Sequence, residues 1–141
     1  MLFRSLHLID TSAWIEWFRN TDSPAARAVA KIRDDPTEIA VTQPVALEVR
    51  AGTRRANLHA VDRILDNAVQ LSVEPNIDFD VAGDLYLAAR DIGKTVRSLM
   101  DCVIAAVAIR TSAVLVHQDH DFDVLASIAK DLRTWSALPD Q

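Results

Sequence analysis

Three acidic residues in this sequence stand where a parallel α/β protein places its functional groups. Asp10 ends the apolar run 6–9, which is typical of a buried strand, and a hydroxyl-rich, helix-forming segment follows it. Glu48 lies one turn into a predicted helix entered from a second strand, and Asp119 follows a third strand. Because ligands of open parallel sheets bind beyond the carboxyl ends of the strands, we expect these acids to lie close together.

A fourth acid, Asp101, interrupts the otherwise apolar segment 99–109, which is predicted to be a buried helix. A buried carboxylate without a partner is costly in free energy, so such an acid is normally paired, hydrogen-bonded or bound to a metal. Arg97 offers a structural alternative, because an arginine at position i−4 of a helix can form an ion pair with it. Since buried acids are rare, we expect a functional site in preference to this pair.

The other acids also have ordinary structural interpretations. Asp10 could cap the helix that follows it, as could the two hydroxyl residues after it. A helical glutamate such as Glu48 is usually solvated. Asp121 is well placed to be the N-cap of the last helix, and we favour that role over ligation for this residue. Asp119 follows its strand more directly and is the better metal ligand.

Taken together, the acids form a constellation of oxygen donors without cysteine or histidine. Oxygen-only ligands favour a hard cation, Mg²⁺ or Mn²⁺. Such a cation cancels carboxylate charge, polarises a phosphoryl oxygen and lowers the pKa of bound water. A zinc site through His117 and His120 is disfavoured, because their spacing fits no familiar structural-zinc pattern and no cysteine accompanies them. Both histidines are expected at the surface.

The elements that must position these acids alternate between strands and helices. We predict strands at 6–9, 38–42, 71–73, 114–116 and 133–135, and helices at 13–18, 25–33, 45–51, 54–69, 79–92, 100–110 and 122–130. This alternation favours an α/β fold with a parallel sheet flanked by helices on both faces. No repeat, low-complexity segment or linker interrupts the pattern, so residues 1–141 are predicted to form one domain.

Composition narrows the class of protein. Half of the residues are apolar and a quarter are charged, as in globular proteins. Cys102 is the only cysteine, and no apolar run is long enough for a signal peptide or a membrane span, so a cytoplasmic protein is expected. The net charge of −5 provides no positive field for nucleic acid. A phosphate-ester substrate would therefore need bound cations and local arginines.

In order and spacing, the motifs resemble those of PIN-domain ribonucleases, specifically the VapC-type toxins of bacterial toxin–antitoxin pairs. The resemblance is carried by residues 8–14 (LIDTSAW), the helix with Glu48, residues 100–106 (MDCVIAA) and residues 119–122 (DHDF). It covers nearly the whole chain, and the first and third motifs together are fairly specific. The last motif is the loosest, because residues 117–118 depart from the usual Thr or Ser plus Arg, which leaves the division of roles between the two aspartates after them open.

What the resemblance implies is a PIN-like fold and an Mg²⁺- or Mn²⁺-dependent endoribonuclease that hydrolyses RNA phosphodiesters with a metal-activated water. It further implies a homodimer and inhibition by a VapB-type antitoxin. The residues implicated are the catalytic acids Asp10, Glu48, Asp101 and Asp119, the same four with Asp121 as metal ligands, and Thr11 and Ser12 as substrate contacts.

For the antitoxin, we expect an arginine to bind the acidic pocket, because guanidinium forms bidentate hydrogen bonds with carboxylates. The aromatic segment that contains Trp14, Trp17 and Phe18 is a plausible anchor for a helix of this partner. The alternative is that these aromatic side chains belong to the core, as tryptophans mostly do.

Other classes of protein fit the sequence less well. A haloacid-dehalogenase-type phosphatase needs a second aspartate two residues after the first, where Ser12 stands. A receiver domain needs paired acids after its first strand, where Asp10 stands alone. A catalytically silent PIN-like binding module that docks a protein partner is a further alternative, and the intact set of acids argues against it.

Overall fold

The computed structural model describes residues 6–34 and 38–139. Within these ranges the strands are β1 (His7–Ile9), β2 (Ile39–Val41), β3 (Val69–Gln70), β4 (Val114–His117) and β5 (Arg133–Ser136). The helices are α1 (Thr11–Phe18), α2 (Pro24–Arg33), α3 (Gln43–Ala51), α4 (Leu58–Asn67), α5 (Pro75–Asp91), α6 (Leu99–Thr111) and α7 (His120–Ile128). A short 3₁₀ turn, Arg55–Asn57, precedes α4.

All five strands are parallel and form one sheet in the order β3–β2–β1–β4–β5. In this register Leu8 of the central strand lies between Ala40 and Leu115. Leu8 and Ile9 point to opposite faces of the sheet, and both are fully buried, so both faces are covered. The predicted α/β fold is confirmed, and the carboxyl ends of β2, β1 and β4 meet at one edge.

Helix α6 is a main component of the core. Eight consecutive residues, 101–108, are buried in it, as the apolar sequence of this segment predicts. The helix has 13 residues, and it packs against α5, α7, α3 and β4. Between residues 6 and 34 and between 38 and 139, no helix has both the length and the apolar character needed to cross a membrane.

Most element boundaries differ from the sequence predictions by one or two residues, and three elements differ in ways that have a physical reason. The third strand lies at Val69–Gln70 instead of 71–73, and both of its residues are exposed, so no apolar pattern marks it. Helix α5 begins at Pro75, four residues before the predicted start, because proline fits the first helical turn. The predicted helix 54–69 is divided into the 3₁₀ turn and α4, which ends at Asn67.

Candidate functional site

The acids predicted from the sequence meet at the carboxyl edge of the sheet. Asp10 directly follows the central strand β1, and Asp119 follows the neighbouring strand β4. Glu48 lies one turn into α3, which follows β2, and Asp101 lies in the first turn of α6. Carboxylate oxygens of Asp101, Asp119 and Asp121 all lie within 4.8 Å of one another. Strand order and helix starts therefore bring together acids that are far apart in sequence.

Asp101 is electrostatically coupled to each of the other acids. Burial raises its pKa from 3.8, and the negative charges of Asp10, Asp119, Glu48 and Asp121 raise it further, to about 8. Carboxylates at this spacing disfavour one another's ionised form. The cluster therefore retains a proton at neutral pH unless a cation neutralises it.

Asp10 caps α1 and faces the acidic cluster at the same time. Its buried carboxylate accepts hydrogen bonds at Oδ2 from the backbone N–H of Ser12, at 3.0 Å, and from the Ser12 hydroxyl, at 2.6 Å. The capping interpretation is thus correct, but these two bonds use only one of the two carboxylate oxygens. Burial raises the pKa of Asp10, and the charge of Asp119 adds to that effect.

The Ser12 hydroxyl also links the loops after β1 and β4. It donates to Asp10 and accepts a 2.9 Å hydrogen bond from the backbone N–H of Gln118. Both of these partners belong to the protein, so in this arrangement Ser12 positions the carboxylate of Asp10. Sequence reasoning predicted a substrate contact at Ser12 and did not foresee this linking role.

Glu48 is half-buried instead of solvated. Its Oε1 and the hydroxyl of Thr11 are both buried, and neither has a hydrogen-bond partner among the residues that the structure describes. Burial raises the pKa of Glu48, and the charge of Asp10 adds to this, while the nearby Thr11 hydroxyl lowers it by less. The Thr11 hydroxyl and the Glu48 carboxylate are thus neighbours whose hydrogen bonding is incomplete, which leaves a donor and an acceptor beside the acidic cluster.

The sequence predicted that Asp121 is the N-cap of the last helix and that Asp119 is a metal ligand. The prediction for the N-cap is wrong. Asp119, and not Asp121, is the N-cap of α7, since its Oδ1 accepts the Asp121 backbone N–H at 2.9 Å. Asp121 is buried, and its Oδ2 accepts the backbone N–H of Arg97 at 3.0 Å. Either aspartate could form such a cap, because the side chain of an Asp readily bonds the N–H two residues on.

Arg97 contacts Asp119 and Asp121 instead of Asp101. Its Nε lies 3.4 Å from Asp121 Oδ2, and its Nη2 lies 3.5 Å from Asp119 Oδ1. No ion pair joins Arg97 to Asp101 in the described part of the chain, so that structural alternative is wrong. The physical reason is that α6 begins only at Leu99, so helical i, i+4 spacing does not apply to Arg97.

His117 is fully buried, so the expectation of a surface position is wrong for this histidine, whereas His120 is exposed. His117 Nδ1 accepts a 3.1 Å hydrogen bond from the backbone N–H of Asp119, and His117 Nε2 lies 3.5 Å from Asp123 Oδ1. Burial lowers the pKa of His117, so the ring is neutral with its proton on Nε2. In this arrangement neither nitrogen of His117 offers a free lone pair to a metal.

The donor set suits a hard divalent cation. The side chains that converge are carboxylates, some of them buried, and one of their oxygens, Glu48 Oε1, has no protein partner within the described ranges. Their mutual repulsion is relieved by a bound positive charge. Carboxylate oxygens without soft ligands are typical of Mg²⁺ and Mn²⁺ sites. The residues present therefore fit such an ion.

A groove of about 610 Å³ runs beside α1 and is walled by α3 and α4. Trp17 and Phe18 line it, together with Val49, Val61 and Ile64. Trp14 is fully buried, so the core interpretation is correct for this residue, and it packs against both neighbouring aromatic rings from inside. Two of the three aromatic side chains considered as an anchor are thus available to a partner.

Comparison with known proteins identifies the class. The family model of the PIN domain matches residues 7–128. Ribonuclease VapC11 from Mycobacterium tuberculosis is 46% identical over 123 residues, which are 86% of this chain and 92% of that protein. The chain therefore belongs to the PIN-domain family, within the group of VapC ribonucleases. Membership of this family sets aside the phosphatase and receiver-domain alternatives.

Solved structures share the same fold. The DNA-bound VapBC from Salmonella typhimurium matches with a TM-score of 0.75 and 16% identity, over 94% of this chain and 98% of that one. VapBC2 from Rickettsia felis, bound to a DNA fragment from its promoter, matches with a TM-score of 0.71 and 18% identity, over 93% and 98%. At such low identity the likeness concerns the fold alone, and it confirms the PIN-domain architecture.

Proposed function

We propose that this protein is a metal-dependent endoribonuclease and the toxin of a VapBC-type toxin–antitoxin pair, acting in the cytoplasm. The observation that carries the proposal is the convergence of buried acids at the carboxyl edge of the sheet, with Asp101 coupled to four others. It occurs in a chain that is 46% identical to a VapC ribonuclease over most of its length.

In this proposal Mg²⁺ or Mn²⁺ is held by Asp10, Glu48, Asp101, Asp119 and Asp121. When bound, the cation supplies positive charge to the carboxylates and to a phosphoryl oxygen, and it lowers the pKa of water. The contributions of the chain itself follow from the geometry. The Ser12 hydroxyl orients Asp10, and the cap of α7 and the ring of His117 orient Asp119.

The reaction proposed is hydrolysis of a single-stranded or loop RNA phosphodiester by water. The water oxygen gives up a proton and forms the new bond to phosphorus, the bond to the 3′ oxygen breaks, and that oxygen takes up a proton from solvent. Glu48 is suited to accept the proton of the water, because its Oε1 is unpaired among the described residues and its pKa is raised by burial. The products carry 5′-phosphate and 3′-hydroxyl ends.

The hydroxyl of Thr11 supports a substrate contact, since it is buried beside the acids and has no partner within the described structure. The corresponding proposal for Ser12 has less support, because its hydroxyl already serves Asp10 and Gln118. A Thr11→Val variant should therefore raise KM for RNA with little change in the metal affinity.

Incubation of the purified protein with RNA, with Mg²⁺ or Mn²⁺ or with EDTA, tests this function, and sequencing of the product ends identifies the bonds cut. RNA should be cleaved when Mg²⁺ or Mn²⁺ is present and not in EDTA. Cleavage should be lost in Asp101→Asn and kept in Asp66→Asn, which changes an exposed acid on α4. Products with 2′,3′-cyclic phosphate, or full activity in EDTA, would exclude the mechanism. A silent binding module would bind its partner and cleave nothing.

For the antitoxin, we propose that an amphipathic helix occupies the groove lined by Trp17 and Phe18, followed by an extended segment whose arginine reaches Asp10, Glu48 and Asp101. The groove is lined by both apolar and polar side chains and borders α3, the helix that carries Glu48, and guanidinium pairs well with carboxylates. Changing that arginine to alanine should restore RNA cleavage more than it weakens the complex. A complex that cleaves RNA at the full rate would contradict this model of inhibition.

We also propose a homodimer. Large apolar side chains that are exposed on α3 and α6, Leu47 and Leu99 among them, support an apolar contact between copies. Light scattering of the purified protein across a concentration series measures this, and a monomer at all concentrations would contradict it.

A further inference from the structure

Arg97 places a guanidinium on the acidic cluster while its side chain stays largely in solvent. Its contacts with Asp119 and Asp121, at 3.5 and 3.4 Å, are at the long end of hydrogen-bond distances, and the side chain is 75% exposed. The backbone N–H of the same residue donates a shorter 3.0 Å bond to Asp121 Oδ2. The backbone is thus anchored at the site, whereas the charged group is only loosely held.

The oxygens that Arg97 contacts belong to the carboxylates that converge within 4.8 Å. A cation bound by Asp119 and Asp121 would neutralise the negative charge that attracts the guanidinium. The guanidinium would then be free to bind another anion close to the site. Because the chain has a net charge of −5, an RNA phosphate that approaches the cluster needs a nearby positive group.

We propose that Arg97 is a substrate-positioning residue that exchanges partners. In the metal-free protein its guanidinium lies on Asp119 and Asp121, and in the metal-loaded protein it binds a phosphate of the RNA beside the bond to be cut. A planar guanidinium suits both partners, because it presents paired N–H donors to carboxylate and phosphate alike. This inference rests on the proposed ribonuclease function.

A purely structural role for the side chain is disfavoured. Exposed ion pairs contribute little to stability, and the loop that carries Arg97 is already attached to Asp121 through a backbone hydrogen bond. The preceding residue, Val96, is buried and adds an apolar anchor. The loop therefore keeps its place without the guanidinium.

If Arg97 exchanges partners in this way, Arg97→Gln should strengthen the binding of Mn²⁺ and weaken the binding of RNA. In Arg97→Gln, Mn²⁺ no longer competes with a guanidinium for the carboxylates. Calorimetry without RNA should therefore show that the variant binds Mn²⁺ about two- to fivefold more tightly than the parent, which corresponds to the free energy of one exposed ion pair. For single-stranded RNA in Mn²⁺, KM should rise about tenfold with a smaller change in kcat. The slope of log KM against log salt should fall by roughly 0.7, as for the loss of one contact to a single-stranded phosphate.

Arg27→Gln is the matched control, since Arg27 of α2 is also exposed and pairs with an aspartate, Asp22, at 3.1 Å, away from the site. It should leave Mn²⁺ affinity and KM as in the parent. Arg97→Lys keeps the charge and should restore part of the lost RNA affinity, while its Mn²⁺ affinity stays near that of the parent. Thermal unfolding of each variant reports whether the fold is intact.

Two results would overturn the inference. If Arg97→Gln weakens Mn²⁺ and RNA together, the residue supports the structure of the site; if it matches Arg27→Gln in both measurements, the residue has no role there. A parent protein that cleaves no RNA with Mg²⁺ or Mn²⁺ would instead refute the proposed function, and the inference with it. The parent assay thus separates the two failures.

Discussion

The Ser12 hydroxyl donates a 2.6 Å hydrogen bond to Asp10 Oδ2, and Ser12 Oγ accepts a 2.9 Å hydrogen bond from the backbone N–H of Gln118. Asp10 directly follows the central strand, Ser12 lies in the first turn of α1, and Gln118 lies just after the neighbouring strand. One side chain thus connects the two loops that carry Asp10 and Asp119. The relative position of these acids therefore depends on a hydroxyl that itself need not touch a metal.

The first prediction concerns this connection. In Ser12→Ala, Asp10 loses a donor and the Gln118 N–H loses its acceptor, so we expect the free energy of unfolding to fall by about 1–2 kcal/mol. RNA cleavage should fall by roughly 10- to 100-fold, as for other residues that orient metal ligands. Urea unfolding and cleavage rates measure the two effects. Ser127→Ala, which removes an exposed hydroxyl bonded only to Val124 O, is the control; equal rates in both variants would contradict the positioning role.

The second prediction concerns Asp101, whose carboxylate has like charges around it. The Asp101 carboxyl must take up a proton on folding at neutral pH, whereas asparagine is neutral in both states, so the metal-free fold of Asp101→Asn should be as stable as the parent or more so. Cleavage should fall by more than about 100-fold, because even residues that only support metal ligands cost 10- to 100-fold. Mg²⁺ should raise the Tm of the parent more than that of the variant. An Asp101→Asn chain that fails to fold would show that the residue is structural.

The third prediction is a pH dependence of stability in EDTA. The pKa of Asp101 rises from 3.8 in the unfolded chain to about 8 in the folded protein. Between these values the folded state binds more protons than the unfolded state, so the free energy of unfolding due to this residue falls as pH rises from about 4 to about 8, and it levels off above. Chemical unfolding at each pH measures it.

Asp101→Asn provides the reference curve for this measurement. Burial lowers the pKa of His117, so that residue contributes stability that is lost as pH falls below its ordinary value of 6.5, a trend opposite to that of Asp101. Subtracting the Asp101→Asn curve from the parent curve removes the part due to His117. A difference that rises with pH between 4 and 8 would contradict the sign, and saturating Mg²⁺ should abolish the fall.

The convergence of the acids could be predicted from the sequence because each is marked by a local pattern. Asp10 follows an apolar run, and Asp101 interrupts an apolar helix. Strands that alternate with helices form parallel sheets, whose carboxyl ends share one edge. No contact had to be known in advance, since this topology alone brings Glu48 and Asp119 to the same place.

Contacts outside regular elements could not be predicted in this way. Arg97 precedes the first turn of α6, so helix periodicity gives no indication of its partners. The burial of His117 depends on the packing of α7, where the tilted ring of Phe122 lies 5.1 Å from the His117 ring, centroid to centroid. The cap of α7 fits either of two aspartates, and only the backbone path after β4 selects Asp119. Each error arose where tertiary packing, and not local pattern, decides.

The last prediction separates a structural buried acid from the functional ones. Asp78 is a fully buried acid outside the site, and Arg110 binds its carboxylate through Nε and Nη2, at 3.0 Å each for the closest contacts. Arg110→Ala leaves that charge unpaired, so we expect the free energy of unfolding to fall by about 3 kcal/mol, the lower end for a broken buried pair because Arg110 is partly exposed.

RNA cleavage by the folded Arg110→Ala protein should match that of the parent. Arg110 and Asp101 lie nine residues apart at opposite ends of α6, about 14 Å along its axis, so the site is not disturbed. Urea unfolding gives the stability, and cleavage is measured at a temperature where the variant is fully folded. Arg90→Ala, an exposed arginine at the end of α5, is the control for loss of charge. A folded Arg110→Ala protein with impaired cleavage would show that this ion pair acts on the site through α6.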